Sequence, residues 1–438
     1  MKLRKRSLHF VLTLVIASLT LYSCKDFNDV TFESNSGDAD FSTVAAVGNS
    51  LVAGTQSNAL FETAQRYSFP SLVAGQMESV QNFEQPLISN PGIGGRLGLS
   101  DDLSGPTQTD EQGQPINAEL DRPYNNLGIP GAILADFLGQ DLPNAPYSAR
   151  QQNNPFFDIV LRDLGNTQAE QLAALQPSFV MFWLGNNDIL GYVTSGGTQP
   201  YVPPSDFQGL YQASMQSLAQ TEADVVLYNI PNVTTIPYVF FLREQLLQQE
   251  VITYDEPTQS YRLITPQGNL PIYIETANGT RIMSENDFLL LPASDYFAGI
   301  QSGNTPPPVT PDNPVPNNLV LDGPITSPPT GQSELAQATS VVQEYNSIIT
   351  SAASNHNYAL VDIHTAFQQI LSEGGREING DMMRPVPGEL FSFDGVHPSN
   401  HGHGIVANLT IETINNTYNA NLQSIDLSTI PRGLPINN

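Results

Sequence analysis

The chain has 438 residues, a single cysteine, and a formal net charge of −27 at pH 7 from 43 acidic and 16 basic residues. The imbalance comes from missing bases, since that number of acids is ordinary for this length, and it argues against nucleic acid or anionic lipid head groups as partners. One cysteine excludes an intrachain disulfide, and the length suffices for one large core or two modest ones.

At the N-terminus, Lys2, Arg4, Lys5 and Arg6 precede the apolar run LHFVLTLVIASLTL. A basic segment followed by so short an apolar one reads as a secretory signal, not as a membrane-spanning helix. The run ends in LYSC, which resembles the lipobox of bacterial lipoproteins, so Cys24 is the expected site of lipidation. The following CKDFND resembles the Lys-plus-acidic signal of many cell-surface Bacteroidetes lipoproteins. Residues 1–23 are thus expected to be a signal peptide and 24–41 a polar tether. The expected address is the outer membrane, exposed at the cell surface or otherwise facing the periplasm. Residues 1–23 hold four positive charges and no negative one, so the chain from Cys24 onward carries −31 and keeps Lys25 as its one lysine.

The stretch AAVGNSLVAG (45–54) reads as an apolar strand that stops at Gly48 and Asn49 and restarts as a helix at Ser50. Four further apolar, β-branched or aromatic runs look like buried strands: YNNLGI (124–129), FVMFWLG (179–185), VVLYNIP (225–231) and YALVDI (358–363). Helical patterns lie between them in GAILADFLGQDL, TQAEQLAALQP, SDFQGLYQASMQSLAQTEA and SELAQATSVVQEYNSIITSAASN. Strands alternating with helices predict a parallel sheet covered on both faces, with ligands beyond the carboxyl ends of its strands. Ser50 falls at such an end.

Two stretches break the rhythm and read as insertions. Residues 82–122 are rich in Gly, Pro, Asp and Gln. Residues 239–331 open on the helix-like FFLREQLLQQE, pass through hairpin-like pieces in SYRLITPQGNLPIYIET, and reach NTPPPVTPDNPVPNN, expected to be extended and solvated. Both insertions leave the predicted core near its strand ends, so they are expected to frame a pocket. Residues 42–420 form the folded domain, with 421–438 as a C-terminal tail.

Four short blocks carry chemistry. Asp394 and His397 in FDGVHPSNHGHGIVANL stand three apart, so one turn can place a carboxylate beside an imidazole. A serine that attacks an acyl carbon needs such an oriented base. WLGNNDIL ends the third strand with Asn187, whose amide can face a developing oxyanion, and NLGIPGAIL ends the second with Gly131, whose N–H no side chain obstructs. Taken one at a time, these are as easily an N-cap, a turn and a surface pair. Together, Gly48-Asn49-Ser50-Leu51, Gly131, Gly185-Asn186-Asn187-Asp188 and Asp394-Gly395-Val396-His397 resemble, in chain order, the four blocks of the SGNH (GDSL-type) hydrolases. The resemblance covers about 42–81, 123–238 and 332–420.

That resemblance implies a flavodoxin-like three-layer α/β/α core with a five-stranded parallel sheet, and a serine esterase or lipase-type hydrolase that passes through an acyl-serine. It assigns the nucleophile to Ser50, the base to His397, the orienting acid to Asp394, and oxyanion donors to the Ser50 N–H, the Gly131 N–H and the Asn187 side chain. The implied substrate is a glycan- or lipid-linked acyl ester, with no cofactor and no metal. Asn49 departs from the family's usual aspartate. His401 and His403 extend a histidine run from His397, read as solvated helix residues, and Trp183 reads as core. The rival readings are a non-catalytic binding lipoprotein using the same cleft, and a thioesterase or transacylase.

Overall fold

The computed structural model describes residues 34–77, 83–99, 106–324 and 332–433. Cys24, the signal segment and most of the predicted tether lie outside the described residues. Five strands form the central sheet: β1 (Val44–Gly48), β2 (Asn126–Gly128), β3 (Phe179–Trp183), β4 (Asp224–Tyr228) and β5 (Ala359–Val361). Every pair is parallel and the spatial order is β2-β1-β3-β4-β5, the flavodoxin-like arrangement. The order reverses between β1 and β3, where Gly48 pairs with Trp183, so a crevice opens beyond the carboxyl ends of those two strands.

These strands read as unbroken apolar runs because both faces are buried. Alternate residues point opposite ways. Ala45, Val47, Val180, Phe182, Val225 and Leu227 meet one apolar cluster, whereas Val44, Ala46, Met181, Trp183, Val226 and Tyr228 meet another. The short helix α1 (Ser50–Ala53) leaves β1, and α2 (Phe69–Ala74) follows it. Further along come α3 (Gln168–Leu175), α4 (Asn187–Thr194), α5 (Pro204–Ala219), α6 (Pro237–Gln248), α7 (Glu334–His356), α8 (Ile363–Ser372) and α9 (Asn400–Tyr418). Helices α3, α5 and α7 cover the first face, and α2 and α9 the second.

Four segments differ from expectation. GAILADFLGQDL forms only a single 3-10 turn, Leu134–Asp136. Its free N–H groups are taken by carboxylates: Ile133 N–H donates to Asp136 Oδ2 at 2.8 Å and Leu134 N–H to Asp188 Oδ2 at 2.9 Å. The crossover helices there are Tyr147–Asn153, Phe156–Leu161 and α3. The predicted tether is docked from residue 35 onward, since Asn35 bridges Asn421 and Ala39 and Phe41 are buried. The segment after α9 also packs down, burying Leu422 and Ile430. Finally, the proline-rich run is not wholly solvated. Val315 is fully buried and exchanges backbone hydrogen bonds with Tyr273 and Glu275 at 2.8 and 2.9 Å. It closes a separate small core of the second insertion, with Leu242, Leu246, Ile274 and Phe297.

Candidate active site

Gly48 ends β1 where a side chain has no room. A Cβ there would lie 2.2 Å from Val52 Cγ2 and 2.6 Å from the Trp183 carbonyl oxygen, so glycine lets α1 fold back onto the sheet. Asn49 caps α1, its Oδ1 accepting from the Leu51 N–H at 3.0 Å. Two buried amides brace the turn from behind. Gln168 Nε2 donates to the Gly48 carbonyl and Asn126 Nδ2 to the Val52 carbonyl, each at 2.8 Å. Ser50 is therefore held as the first helical residue, 7% exposed, and its Oγ makes no hydrogen bond among the described residues.

His397 Nδ1 stands 2.8 Å from Asp394 Oδ2. That carboxylate is saturated with donors: Oδ1 accepts from the Val396 and His397 N–H groups at 2.9 Å and from Ser392 Oγ at 3.0 Å, and Oδ2 from the Asn58 N–H at 2.7 Å. Burial alone would raise the Asp394 pKa, but the His397 charge and these hydrogen bonds outweigh it and hold the group down at about 2. Asp394 is thus a carboxylate at any working pH, and an acceptor that fixes the imidazole with Nε2 directed away from it.

Asn187 opens α4. Its Nδ2 gives one hydrogen to the Ala132 carbonyl at 2.9 Å and keeps the second free for the cavity it lines. Next to it, buried Asp188 ties the same turn down through Leu134, and burial lifts its carboxyl to about pKa 7. Ser50, Asn187 and His397 line one cavity of about 910 Å³, open mouth included. Gly131 is not among its lining residues. Its φ of +82° suits glycine, and it lines a second hollow with Asp136 and Arg150, one residue from the Ala132 carbonyl that Asn187 grips.

A family model for the GDSL-like Lipase/Acylhydrolase matches residues 313–410, a span that contains Asp394 and His397. No curated protein matches the chain. Among solved structures it is similar to an acetylxylan esterase, Axe2, from Geobacillus stearothermophilus, at 13% identity over 86% of this chain and 96% of that one, with a TM-score of 0.37. It is also similar to LAE5, an alpha/beta hydrolase enzyme from the metagenome of Lake Arreo, Spain, at 12% identity over 86% and 98%, with a TM-score of 0.36.

Two expectations about the site's surroundings fail. Among the described residues, neither insertion lines the Ser50 cavity. Its walls are residues 231–236, 363–370, 385–398 and 402–409, which belong to loops and helices of the core. The first insertion acts one step removed, pairing Ile93 with Leu60 and the Leu97 N–H with the Ser57 carbonyl behind the loop that grips Asp394. The histidines after His397 are not solvated either. His403 is fully buried because its face of α9 packs against α2, where it stacks on Phe69, while His401, on another face, is 4% exposed beside Leu427 of the C-terminal segment. Burial, with a smaller effect of His397, pushes the His403 pKa down to about 3, so it stays a neutral core residue. Among the described residues no group of three or more His, Cys, Asp or Glu is placed to hold a metal ion.

Asn58 and Ser392 were missed by motif reading, since Asn58 serves the site only through Asp394, and Ser392 only through Asp394 and the His397 carbonyl, to which its N–H donates at 2.8 Å. The one local signal is the pair Ser57-Asn58, with φ of +50° and +65°, a left-handed turn that asparagine tolerates. Trp183 is core, as its burial requires, yet its edge also reaches the cavity and its Nε1 has no partner. The Asn49 Nδ2 is likewise buried and unpartnered. Asn49→Asp keeps the acceptor that caps α1 and removes that orphan donor. Steady-state ester hydrolysis is expected to stay at the wild-type level or rise. A collapse would show that the turn depends on the amide.

Proposed function

We propose that this enzyme cleaves carboxylic esters through an acyl-serine intermediate, with Ser50 as nucleophile, His397 as base and Asp394 as orienting acid. The observation that carries the reading is one cavity receiving Ser50, Asn187 and a His397 whose other nitrogen is engaged by a saturated carboxylate. In the first half-reaction His397 Nε2 takes the Ser50 hydroxyl proton as Oγ bonds to the ester carbon, and the carbonyl electron pair becomes an oxyanion. Collapse expels the alcohol, which takes the proton from His397. Water then repeats the sequence on the acyl-serine and frees the acid.

The Ser50 N–H and the free hydrogen of Asn187 Nδ2 are the proposed oxyanion donors in the cavity; the Gly131 N–H is proposed as a third on the sequence block alone, next to the Ala132 carbonyl that Asn187 holds. Asn187→Ala is expected to lower kcat by roughly 10²–10³, the scale of losing one such donor, with an unchanged far-ultraviolet spectrum. Wild-type kcat in that variant would remove Asn187 from the reaction.

Lipidation at Cys24 is proposed on the sequence pattern, and would hold the enzyme on the outer membrane facing outward. Among the described residues no helix is long and apolar enough to cross a membrane. A chain cleaved before Cys24 and carrying more than one acyl group gives stable anchoring where a single chain gives only reversible binding. Cys24→Ala is expected to move the protein from the membrane to the soluble fraction, or to leave it uncleaved. Intact-mass measurement showing no lipid on the wild-type protein would reject the anchor.

A further inference from the structure

We infer that the substrate of the Ser50 site is an ester of a medium-length alkanoic acid, whose chain lies in a groove running away from Ser50 between α8 and α9. This rests on the acyl-serine reading above.

The cavity has two unlike ends. Its polar side chains are Asn49, Ser50, Asn186 and Asn187 from two strand ends and His397 from the loop before α9. Everything beyond them is apolar. Helix α8 contributes Ile363, Ala366, Phe367 and Ile370, and helix α9 contributes Gly402, Ile405, Val406 and Leu409. Both sets follow the spacing i, i+3, i+4, i+7, the stripe that one helix face presents to one surface. Seven residues of helical rise make each stripe about 10 Å long. Leu390 and Phe391, from the loop before His397, add to the apolar lining.

Such walls fit alkyl substituents and reject sugars. A buried sugar ring needs a hydrogen-bond partner for each hydroxyl, and unpaired polar groups are costly to bury. The two stripes offer none. An acetyl group would leave most of the groove unfilled, whereas each added methylene buries further apolar surface. That is worth a factor of about four in kcat/KM per methylene while the groove still has room.

The test uses the full chain and two readouts. The first is kcat/KM on 4-nitrophenyl esters from acetate to palmitate, for the wild type, Ala366→Trp and Ile405→Trp. Residues 366 and 405 are partly exposed, so these bulky replacements have an outlet on the surface. The second is fluorescence of Trp183, the chain's one tryptophan, which lines the cavity, as Ser50→Ala protein is titrated with decanoate and with acetate.

The expected result is a rise in kcat/KM of at least a hundredfold from acetate to octanoate, a plateau or fall beyond it, and a saturable fluorescence change with decanoate only. Either tryptophan variant should lower the octanoate-to-acetate ratio at least tenfold. Hydrolysis that is flat with chain length, or best on acetate, overturns the groove and leaves the esterase reading standing. No hydrolysis of any ester, with saturable decanoate binding, supports the groove and overturns the acyl-serine reading. Neither turnover nor decanoate binding overturns both.

Discussion

Ser50→Ala is expected to lower kcat by about 10⁴–10⁶ while the unfolding temperature stays within a few degrees of wild type. The hydroxyl makes no hydrogen bond among the described residues, so its loss strands no partner, and alanine suits a first helical turn. His397→Ala should fall to the same residual level, and the double variant little further, because the two act as one unit and not as independent contributors. Turnover of a reactive aryl ester in the presence of a chelator, with thermal unfolding in parallel, decides it. A folded Ser50→Ala protein that retains wild-type turnover would place the nucleophile elsewhere.

The second large effect is expected at Asp394. In Asp394→Asn, one of two oxygens that together accept five hydrogen bonds becomes an N–H₂. An amide nitrogen in place of Oδ2 would face the Asn58 N–H donor to donor, and His397 Nδ1–H as well. The imidazole is then driven to the tautomer with its proton on Nε2, where it cannot accept from serine, and kcat should drop by about 10⁴. A second consequence concerns stability. A carboxylate held at about 2 when folded, below its ordinary unfolded value near 4, stabilises the fold fully above that unfolded value and loses this contribution as pH falls toward 2. The asparagine variant, which cannot titrate, should be less stable at neutral pH and show a flatter stability profile between about pH 4 and 2. Urea unfolding across that range measures it. An unchanged slope would mean that Asp394 is not the group whose charge the fold depends on.

Sequence alone determined the sheet, because parallel strands buried on both faces must be apolar throughout, and β1, β3 and β4 have no other way to be read. It also placed Ser50, Asn187 and the Asp394–His397 pair, since each sits on a sharp strand-end or loop turn whose glycines and short polar residues are local requirements. The surroundings were decided by tertiary structure. Nothing near residue 58 announces that its N–H will hold a carboxylate 336 positions away. His403 follows His397 in a polar-looking run, yet packing of α9 on α2 makes it core. GAILADFLGQDL has a helical pattern, yet only one 3-10 turn forms, its first N–H groups capped by Asp136 and by Asp188 from the next block, with Gly139 in a left-handed conformation just beyond it. The apolar groove lies between two helices whose stripes are each ordinary amphipathic faces. Only their meeting in one cavity with Ser50 turns them into a site, and that meeting is a long-range arrangement that no local pattern encodes.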